Sequence, residues 1–233
     1  MLSSVTQNLR FMVHEVSAQV EQTLQFFAEP NRTLVDRINS RDDYIDTLKS
    51  LIQDRTYALL QSGGRLEKRQ VNLLRAVNTI AVNLERIADF AVNMLRQSGH
   101  LTDPGFINYF EYESYFEEVL AGLERVQPAL ETRDVTQAYR ICQSEFKLDQ
   151  LYGGHFNRIL ADLRAGGETG NLITCLMILH YLERMGDSLL NIGEAVIYAI
   201  LGESVKIHQY QALTDSLTAS GINPPTGKIE FES

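Results

Sequence analysis

The chain has few of the residues that mark disulfide-rich, secreted or membrane-spanning proteins. Its 233 residues include two cysteines, Cys142 and Cys175, five prolines and no tryptophan. Two cysteines inside helical patterns do not form a disulfide framework. The longest apolar run near the C-terminus, 195–201, has seven residues, whereas a membrane span needs about 20. Residues 1–7 lack the basic start and apolar stretch of a secretory signal. We therefore expect a cytoplasmic protein without a membrane span.

Positive charge is also scarce. The chain carries 21 Lys and Arg against 30 Asp and Glu, a formal net charge of −9. General binding to nucleic acid or anionic lipid calls for clustered basic residues, so neither is expected. An acidic chain favours cations or a basic partner surface. Hydrophobic residues make up 44% of the composition, which is enough for a real core.

Helical periodicity runs through nearly the whole chain. Apolar or small residues recur at alternating steps of three and four, a pattern typical of a bundle helix. The clearest series are Leu74, Val77, Ala81, Leu84, Ala88, Ala91, Leu95 and, later, Leu172, Cys175, Leu179, Leu182, Gly186, Leu189, Gly193, Val196, Ile200. The small residues Ala88, Gly186 and Gly193 would let a neighbouring helix approach closely.

Breaks in this pattern predict three helices, a linker and three more helices. Asn31 and Asp134 are expected N-caps, and Pro128 is expected to distort the last turn of helix four. The expected helices cover about 6–28, 31–61, 66–97, 109–131, 134–165 and 171–201. The fold class is therefore all-α, with two tandem three-helix bundles that form a pseudo-twofold repeat. We place the first bundle in 1–98 and the second in 106–203.

The C-terminal extension, 204–233, differs from the rest in composition. A short docking helix could include Val205, Ile207, Leu213 and Leu217. Pro224 and Pro225 follow, with glycines on either side, so we expect the extension to be partly mobile.

The two halves repeat polar residues as well as apolar ones. Residues 84–93 read LERIADFAVN, and 98 residues later 182–191 read LERMGDSLLN. Five of the ten positions are identical, and most of those five are polar. Core packing repeats apolar residues, whereas a repeated Glu, Asp and Asn set indicates a repeated site.

A second repeated acidic pair lies in helix two of each half. Asp42 and Asp46 recur at an offset of 103 residues as Glu145 and Asp149. In each pair the residues are four apart and lie on one helix face. If helices two and three are antiparallel neighbours, four carboxylates per half converge. The eight candidates are Asp42, Asp46, Glu85, Asp89, Glu145, Asp149, Glu183 and Asp187.

Converging carboxylates repel each other, by about 0.2–0.5 kcal/mol for each like-charged i,i+4 pair. A hard cation with oxygen ligands would compensate: Mg²⁺, Ca²⁺, Mn²⁺ or iron. Asn93 and Asn191, one turn further along, could add an oxygen ligand or a hydrogen bond. Arg86 and Arg184 offer a competing explanation, because they could neutralise the acids without any metal.

Other candidate residues have simpler explanations. Zinc is less favoured because the repeated motifs contain no Cys or His. His180 lies on the face of Glu183, but its first-half counterpart is Val82, so we interpret it as an incidental surface histidine. Cys142 and Cys175 are interpreted as buried. The aromatic cluster is interpreted as packing or an interface: Phe106, Tyr109, Phe110, Tyr112, Tyr115 and Phe116. No phosphate loop, GxSxG elbow or HExxH motif is present.

The repeated helix resembles a known family signature. The segment ERMGDSLLNIGE at 183–194, followed by AVIY at 195–198, resembles the signature helix of PhoU-type phosphate-regulatory proteins. Residues 85–93 match it less fully, and the resemblance covers about residues 6–203. Ala88 replaces the family's usual glycine, while Phe90 and Ser188 stand where histidine is often found. These departures imply an altered first-half site.

The resemblance implies two three-helix bundles with multinuclear metal sites formed by the eight acids. The implied ions are iron, manganese, magnesium or zinc. It implies a non-enzymatic cytoplasmic regulator and a homo-oligomer such as a homodimer. The implied partners are a phosphate transporter component and a sensor histidine kinase, through which it restrains the phosphate-starvation response.

Three alternatives stay open at the level of sequence. The chain could serve another ion or phosphate carrier as its adaptor. It could be a di-metal carboxylate enzyme, although such bundles usually supply Glu-x-x-His pairs, which are missing here. It could also be a metal-free scaffold in which Arg86 and Arg184 satisfy the acids.

Overall fold

A computed structural model describes residues 2–62 and 66–207, and within these ranges the regular structure is entirely helical. A short 3-10 helix covers Pro104–Tyr109. The six α-helices are α1 Leu2–Ala28, α2 Arg32–Gln61, α3 Lys68–Ser98, α4 Tyr112–Thr132, α5 Val135–Arg164 and α6 Thr169–Leu201. The predicted all-α fold with two tandem three-helix bundles is confirmed.

Both predicted N-caps are present. The Asn31 side chain accepts a hydrogen bond from the Leu34 backbone N–H at 2.9 Å. Asp134 accepts from the backbone N–H groups of Thr136 and Gln137, at 2.8 and 3.1 Å. Each cap satisfies N–H groups that the first helical turn would otherwise leave without a partner.

The start of the second half differs from the sequence prediction. Helix four was expected from about Tyr109, but α4 begins at Tyr112. Asp103 instead caps the 3-10 helix by accepting from the Gly105 N–H at 2.9 Å. α4 also continues through Pro128 to Thr132 and ends at Arg133, whose φ of 57° is left-handed.

The two halves share one core. Helices α1, α2 and α3 pack together, and so do α4, α5 and α6. The halves meet where α3 packs against α6, and this contact is as extensive as the contact between α5 and α6. Phe27 of α1 joins the halves at a second place, with its ring 5.6 Å from that of Tyr112 and 5.8 Å from that of Phe116. Both partner rings are buried, which supports packing as the role of the aromatic cluster.

Glycines allow the close approach of α5 to α6. A Cβ atom on Gly193 would lie 2.9 Å from the Ala138 carbonyl oxygen and 3.0 Å from the Cys142 backbone nitrogen. One on Gly186 would meet Leu148 at 3.0 Å. Cys142 lies in this contact between α5 and α6. Both Cys142 and Cys175 are free and buried. Burial raises the pKa of each thiol to about 12.

The chain beyond α6 folds back onto that helix. Lys206 Nζ and the Ile207 backbone N–H both donate to the Glu194 carboxylate at 3.0 Å. Ile207 is buried, and Val205 packs against the core. Leu213 and Leu217 lie outside the described residues, so the docking helix and the mobile end stay predictions. None of the helices in the described ranges combines the length and apolarity needed to cross a membrane.

Candidate functional site

The first acidic site consists of Asp42 and Asp46 on α2 and Glu85 and Asp89 on α3. The structure brings these four carboxylates together. Burial raises the pKa of Glu85, and repulsion from Asp89 and Asp46 adds to the rise. Burial likewise raises the pKa of Asp89, followed by repulsion from Asp42 and Asp46. The carboxylates of α2 therefore repel both carboxylates of α3, which is the convergence that the repeat predicted.

Lys49 stands inside this first site. Its Nζ donates to Asp46 Oδ1 at 2.8 Å and also to Glu85 Oε1. The ammonium group therefore bridges α2 and α3. Although burial lowers the pKa of Lys49, its bonds to Asp46 and Glu85 outweigh that effect and raise it, so the side chain stays charged.

Gln19 of α1 closes the inner side of the first site. Its Nε2 donates to the backbone carbonyl of Ala88 at 3.2 Å and lies 3.4 Å from Asp42 Oδ1. Gln19 is fully buried. The hydrogen bond lowers the pKa of Asp42, but burial raises it more, and Asp46, Asp43 and Glu85 add repulsion.

The second acidic site consists of Glu145 and Asp149 on α5 and Glu183 and Asp187 on α6. Burial raises the pKa of Glu183, and repulsion from Asp187, Asp149 and Glu145 adds to the rise, while Arg184 opposes it. Glu145 is 7% exposed, so a carboxylate lies deep in this site. The structure therefore brings the four second-half candidates together as well.

The two arginines of the repeat have different partners. Arg184 Nη1 donates to Asp187 Oδ2 at 2.7 Å, so it neutralises one acid of the second site. Arg86 lies over the ring of Phe90, with its guanidinium carbon 5.9 Å from the ring centroid. In the second half, Arg184 neutralises an acid as the metal-free explanation predicts. In the first half, Lys49 takes this role instead of Arg86.

Asn93 and Asn191 differ from the acids in their surroundings. Both are partly buried. Asn191 lines a cavity of about 450 Å³ between α3 and α6 together with Arg75, Glu194 and Tyr198. Of the described residues that line this cavity, none is one of the eight acids. The cavity provides no support for Asn191 as a ligand of the acidic site.

Sequence reasoning missed three residues at these sites. Lys49 and Gln19 face the first site, and Tyr152 faces the second, where repulsion from Glu183 contributes after burial to its raised pKa. Lys49 follows Asp46 by three residues, a spacing that puts both on one helix face. His180 Nδ1 lies 3.4 Å from Glu183 Oε2, so this histidine borders the second site.

The donor chemistry of both sites suits a hard cation, because carboxylate oxygens converge from two helices. As the side chains stand, however, no three Asp, Glu, His or Cys side chains within 2–62 and 66–207 are grouped to hold a metal ion. In the first site the Lys49 ammonium already bridges the two helices, so the first site does not fit a metal. In the second site an ion would have to draw the carboxylates together and displace Arg184 from Asp187.

The sequence is similar to known proteins in both of its halves. A family model described as PhoU domain matches residues 9–98 and 113–196. A "Phosphate-specific transport system accessory protein PhoU homolog" of Clostridium acetobutylicum is 23% identical over 192 residues, which cover 82% of this chain and 88% of that protein. One of the same description from Caulobacter vibrioides is 26% identical over 209 residues, with coverage of 88% and 90%.

Solved structures share the fold. The crystal structure of PhoU from Pseudomonas aeruginosa superposes with a TM-score of 0.77 at 21% identity, covering 87% of this chain and 98% of that one. The phosphate transport system regulatory protein PhoU from Streptococcus pneumoniae gives a TM-score of 0.75 at 20% identity, with coverage of 88% and 97%. The family-model match spans most of the chain and falls once in each half, so this chain belongs to the PhoU family.

Proposed function

We propose that this chain is a cytoplasmic, non-enzymatic regulator of phosphate uptake. In this proposal it contacts a phosphate transporter component and a sensor histidine kinase and restrains the phosphate-starvation response. The observation that carries the proposal is the pair of PhoU domains. The relatives that match most of the chain are phosphate-specific transport system accessory proteins, and the two buried free thiols suit a reducing compartment.

The regulatory part is tested in the source cell by deleting the gene and measuring a phosphate-starvation reporter in phosphate-rich medium. The proposal expects the reporter to switch on without the protein and to return to its low level on complementation. A reporter that stays off would contradict a restraining role. If transport of another ion changes instead, the protein is an adaptor for a different carrier.

Direct contact is tested with purified components. The transporter component and the kinase would each be immobilised and titrated with this protein in separate experiments. Saturable binding to both supports the proposal, and binding to neither rejects direct contact. Light scattering on the same sample measures the molar mass, which the proposed homo-oligomer places at a multiple of 26.4 kDa.

We further propose that the second acidic site binds a metal ion. Glu145, Asp149, Glu183 and Asp187 would hold it, and the ion would relieve the repulsion that raises the pKa of Glu183. Arg184 does not prevent this, because an exposed pair contributes only about 0–1 kcal/mol. The candidate ions are iron, manganese, magnesium and zinc, and oxygen donors favour the first three over zinc.

Elemental analysis of untagged protein tests metal binding. The test variant is the double change Glu183→Gln with Asp187→Asn. The control is Glu118→Gln, which changes an acid that lies outside the site and pairs with Lys147. The proposal expects metal in the wild type and in Glu118→Gln, and none at the second site in the double variant. Equal metal in all three proteins would reject the assignment of these acids.

A further inference from the structure

We propose that Lys49 is the resident cation of the first acidic site, so that the two PhoU domains differ in the cation they take. The first half holds its carboxylates with an ammonium group from its own chain. The second half lacks that group and takes a metal ion from solution. Only the statement about the second half rests on the proposed function.

The contacts of Lys49 are those expected of a bridging cation. Its Nζ bonds to Asp46 on α2, at 2.8 Å, and to Glu85 on α3. The Lys49 and Glu85 side chains are only 22% and 17% exposed. Charged hydrogen bonds that are partly shielded from water are stronger than exposed ones. A metal ion that bound carboxylates of both helices would have to expel this ammonium from two partners at once.

The second half has no lysine at the matching position. The offset of 103 residues that relates Asp42 to Glu145 and Asp46 to Asp149 relates Lys49 to Tyr152. A phenol is neutral at pH 7, and Tyr152 has its pKa raised further by burial and by repulsion from Glu183. The second site therefore keeps its repeated acids but has a neutral tyrosine at the position that Lys49 occupies in the first.

Two nearby basic residues of the second half, Lys147 and Arg184, do not replace Lys49. Lys147 Nζ donates to Glu118 on α4 at 2.9 Å, and its side chain is 63% exposed. Arg184 contacts one acid, Asp187, from the same helix, and its side chain is 40% exposed. Such an exposed i,i+3 pair is easily displaced. Neither residue joins α5 to α6 as Lys49 joins α2 to α3.

A charge difference on the third helix points the same way. Burial and repulsion raise the pKa of Asp89, and the positive charge of Arg96 on α3 offsets a small part of that rise. The offset of 98 residues that relates Asp89 to Asp187 relates Arg96 to Glu194. The first half therefore has an arginine near its site that the second half lacks at the matching position, where Glu194 pairs with Lys206 instead.

The test uses the full chain as wild type, three single variants and the double variant Glu85→Gln with Asp89→Asn, with Mn²⁺ as the probe. Lys49→Met removes the ammonium and keeps the length of the side chain. Lys147→Met is the matched control, because it removes a lysine that pairs with an acid outside the site. Tyr152→Lys places a lysine in the second site. Each protein is melted in EDTA and in Mn²⁺, and bound Mn²⁺ is counted by elemental analysis after gel filtration.

The expected result has three parts. In EDTA, Lys49→Met melts about 2–4 °C below the wild type, which corresponds to about 1 kcal/mol in a chain of this size, while Lys147→Met stays near the wild type. Mn²⁺ restores Lys49→Met, which binds more Mn²⁺ than the wild type does. Tyr152→Lys binds less.

Two results would overturn the inference. One is a Lys49→Met protein that matches Lys147→Met in both melting temperature and Mn²⁺ content. The other is a wild type whose bound Mn²⁺ falls when Glu85 and Asp89 are changed to Gln and Asn, because the first site would then already hold metal.

Failure of the proposed function looks different. If the wild type binds no Mn²⁺ but Lys49→Met is destabilised in EDTA and rescued by Mn²⁺, Lys49 is the resident cation and metal binding by the second site is rejected. If the wild type binds Mn²⁺ at both sites, the metal proposal stands and the role of Lys49 is rejected.

Discussion

The two acidic sites have the same four-carboxylate layout but different neighbouring cations. In the first, Lys49 bridges Asp46 and Glu85 across two helices. In the second, Arg184 pairs with Asp187 on its own helix. A duplicated domain can thus keep its acids while the source of the compensating charge changes. Repetition of the acids alone is not proof that both copies bind the same ion.

A further difference between the halves is the packing of their second and third helices, since α5 and α6 pack more extensively than α2 and α3. Gly193 in α6 corresponds by the 98-residue offset to Leu95 in α3. We expect Gly193→Leu to destabilise the fold by about 3 kcal/mol, because the new side chain meets backbone atoms of α5 at 2.9 and 3.0 Å. Urea denaturation measures the change in the free energy of unfolding.

The control for this variant is Gly154→Ala in α5. Apart from its chain neighbours and the backbone of its own helix, nothing lies within 4 Å of the Cβ that this change adds. Alanine should stabilise the helix by about 0.5–1 kcal/mol relative to glycine. A neutral Gly193→Leu would show that α5 and α6 do not need their close approach.

A smaller difference concerns the acids that α1 and α4 contribute. Glu15 pairs with Arg41, and 103 residues later Glu118 accepts from Ser144 Oγ at 2.7 Å and from Lys147 at 2.9 Å. We expect Arg41→Met to cost about 1–2 kcal/mol, since it leaves a partly buried carboxylate without its charged partner. Lys147→Met should cost less than about 0.5 kcal/mol, because Ser144 remains bonded.

Thermal unfolding in EDTA compares the two variants. Equal losses of stability in the two variants would contradict the expectation that the more buried Glu15–Arg41 pair contributes more to stability. The exposed fractions on which this view rests are 23% for the Arg41 side chain and 63% for that of Lys147.

The pH dependence of stability should reveal the raised pKa of Glu183 in the second site. Burial and repulsion raise the pKa of Glu183 above its ordinary 4.5. The native state therefore binds protons more readily than the unfolded state, and the free energy of unfolding should rise as pH falls from 7 toward 4.5. Removing this carboxylate with Glu183→Gln should flatten the rise and stabilise the metal-free protein at pH 7 by about 0.5 kcal/mol.

The difference between wild type and Glu183→Gln must be measured, not the wild type alone. Burial lowers the pKa of His155 below 6.5, so that residue makes the free energy of unfolding fall as pH drops through 6.5. The raised pKa values of Asp42, Glu85 and Asp89 act in the opposite direction. All four contributions are shared by both proteins and cancel in the difference. Parallel urea titrations from pH 4.5 to 8 in EDTA that give parallel curves would contradict the role of Glu183.

The smallest expected effect is that of Arg184. Arg184→Met should change the free energy of unfolding by less than about 0.5 kcal/mol in EDTA, because the pair it breaks is exposed. It should leave Mn²⁺ binding unchanged or tighter, which calorimetric titration measures. A loss of Mn²⁺ affinity would mean that Arg184 organises the second site instead of competing with the metal.

Much of the fold could be predicted because its signals are local. Asn31 and Asp134 cap helices through neighbouring backbone groups, and the apolar steps of three and four identify the packed faces. The start of α4 was misplaced because the 3-10 helix after Asp103 competes with the aromatic helical pattern. Local capping chemistry decided that boundary.

The acids of the sites and the role of Arg184 could be predicted, but the role of Lys49 could not. The i,i+4 spacing is visible in sequence, whereas the bond from Lys49 to Glu85 joins two residues that are 36 positions apart and lie on different helices. The two repeated arginines show a subtler limit. Arg86 lies over Phe90 four residues later, while Arg184 has Ser188 there, which offers no ring, and turns to Asp187. One neighbouring residue decides the partner of an identical arginine.

The most direct test of the account compares bound Mn²⁺ in two double variants of the full chain. One changes Glu85 and Asp89 to Gln and Asn, and the other makes the same changes at Glu183 and Asp187. The account predicts that only the second variant loses the Mn²⁺ of the wild type. Loss in the first variant, or equal loss in both, would contradict the division of labour between Lys49 and a metal ion.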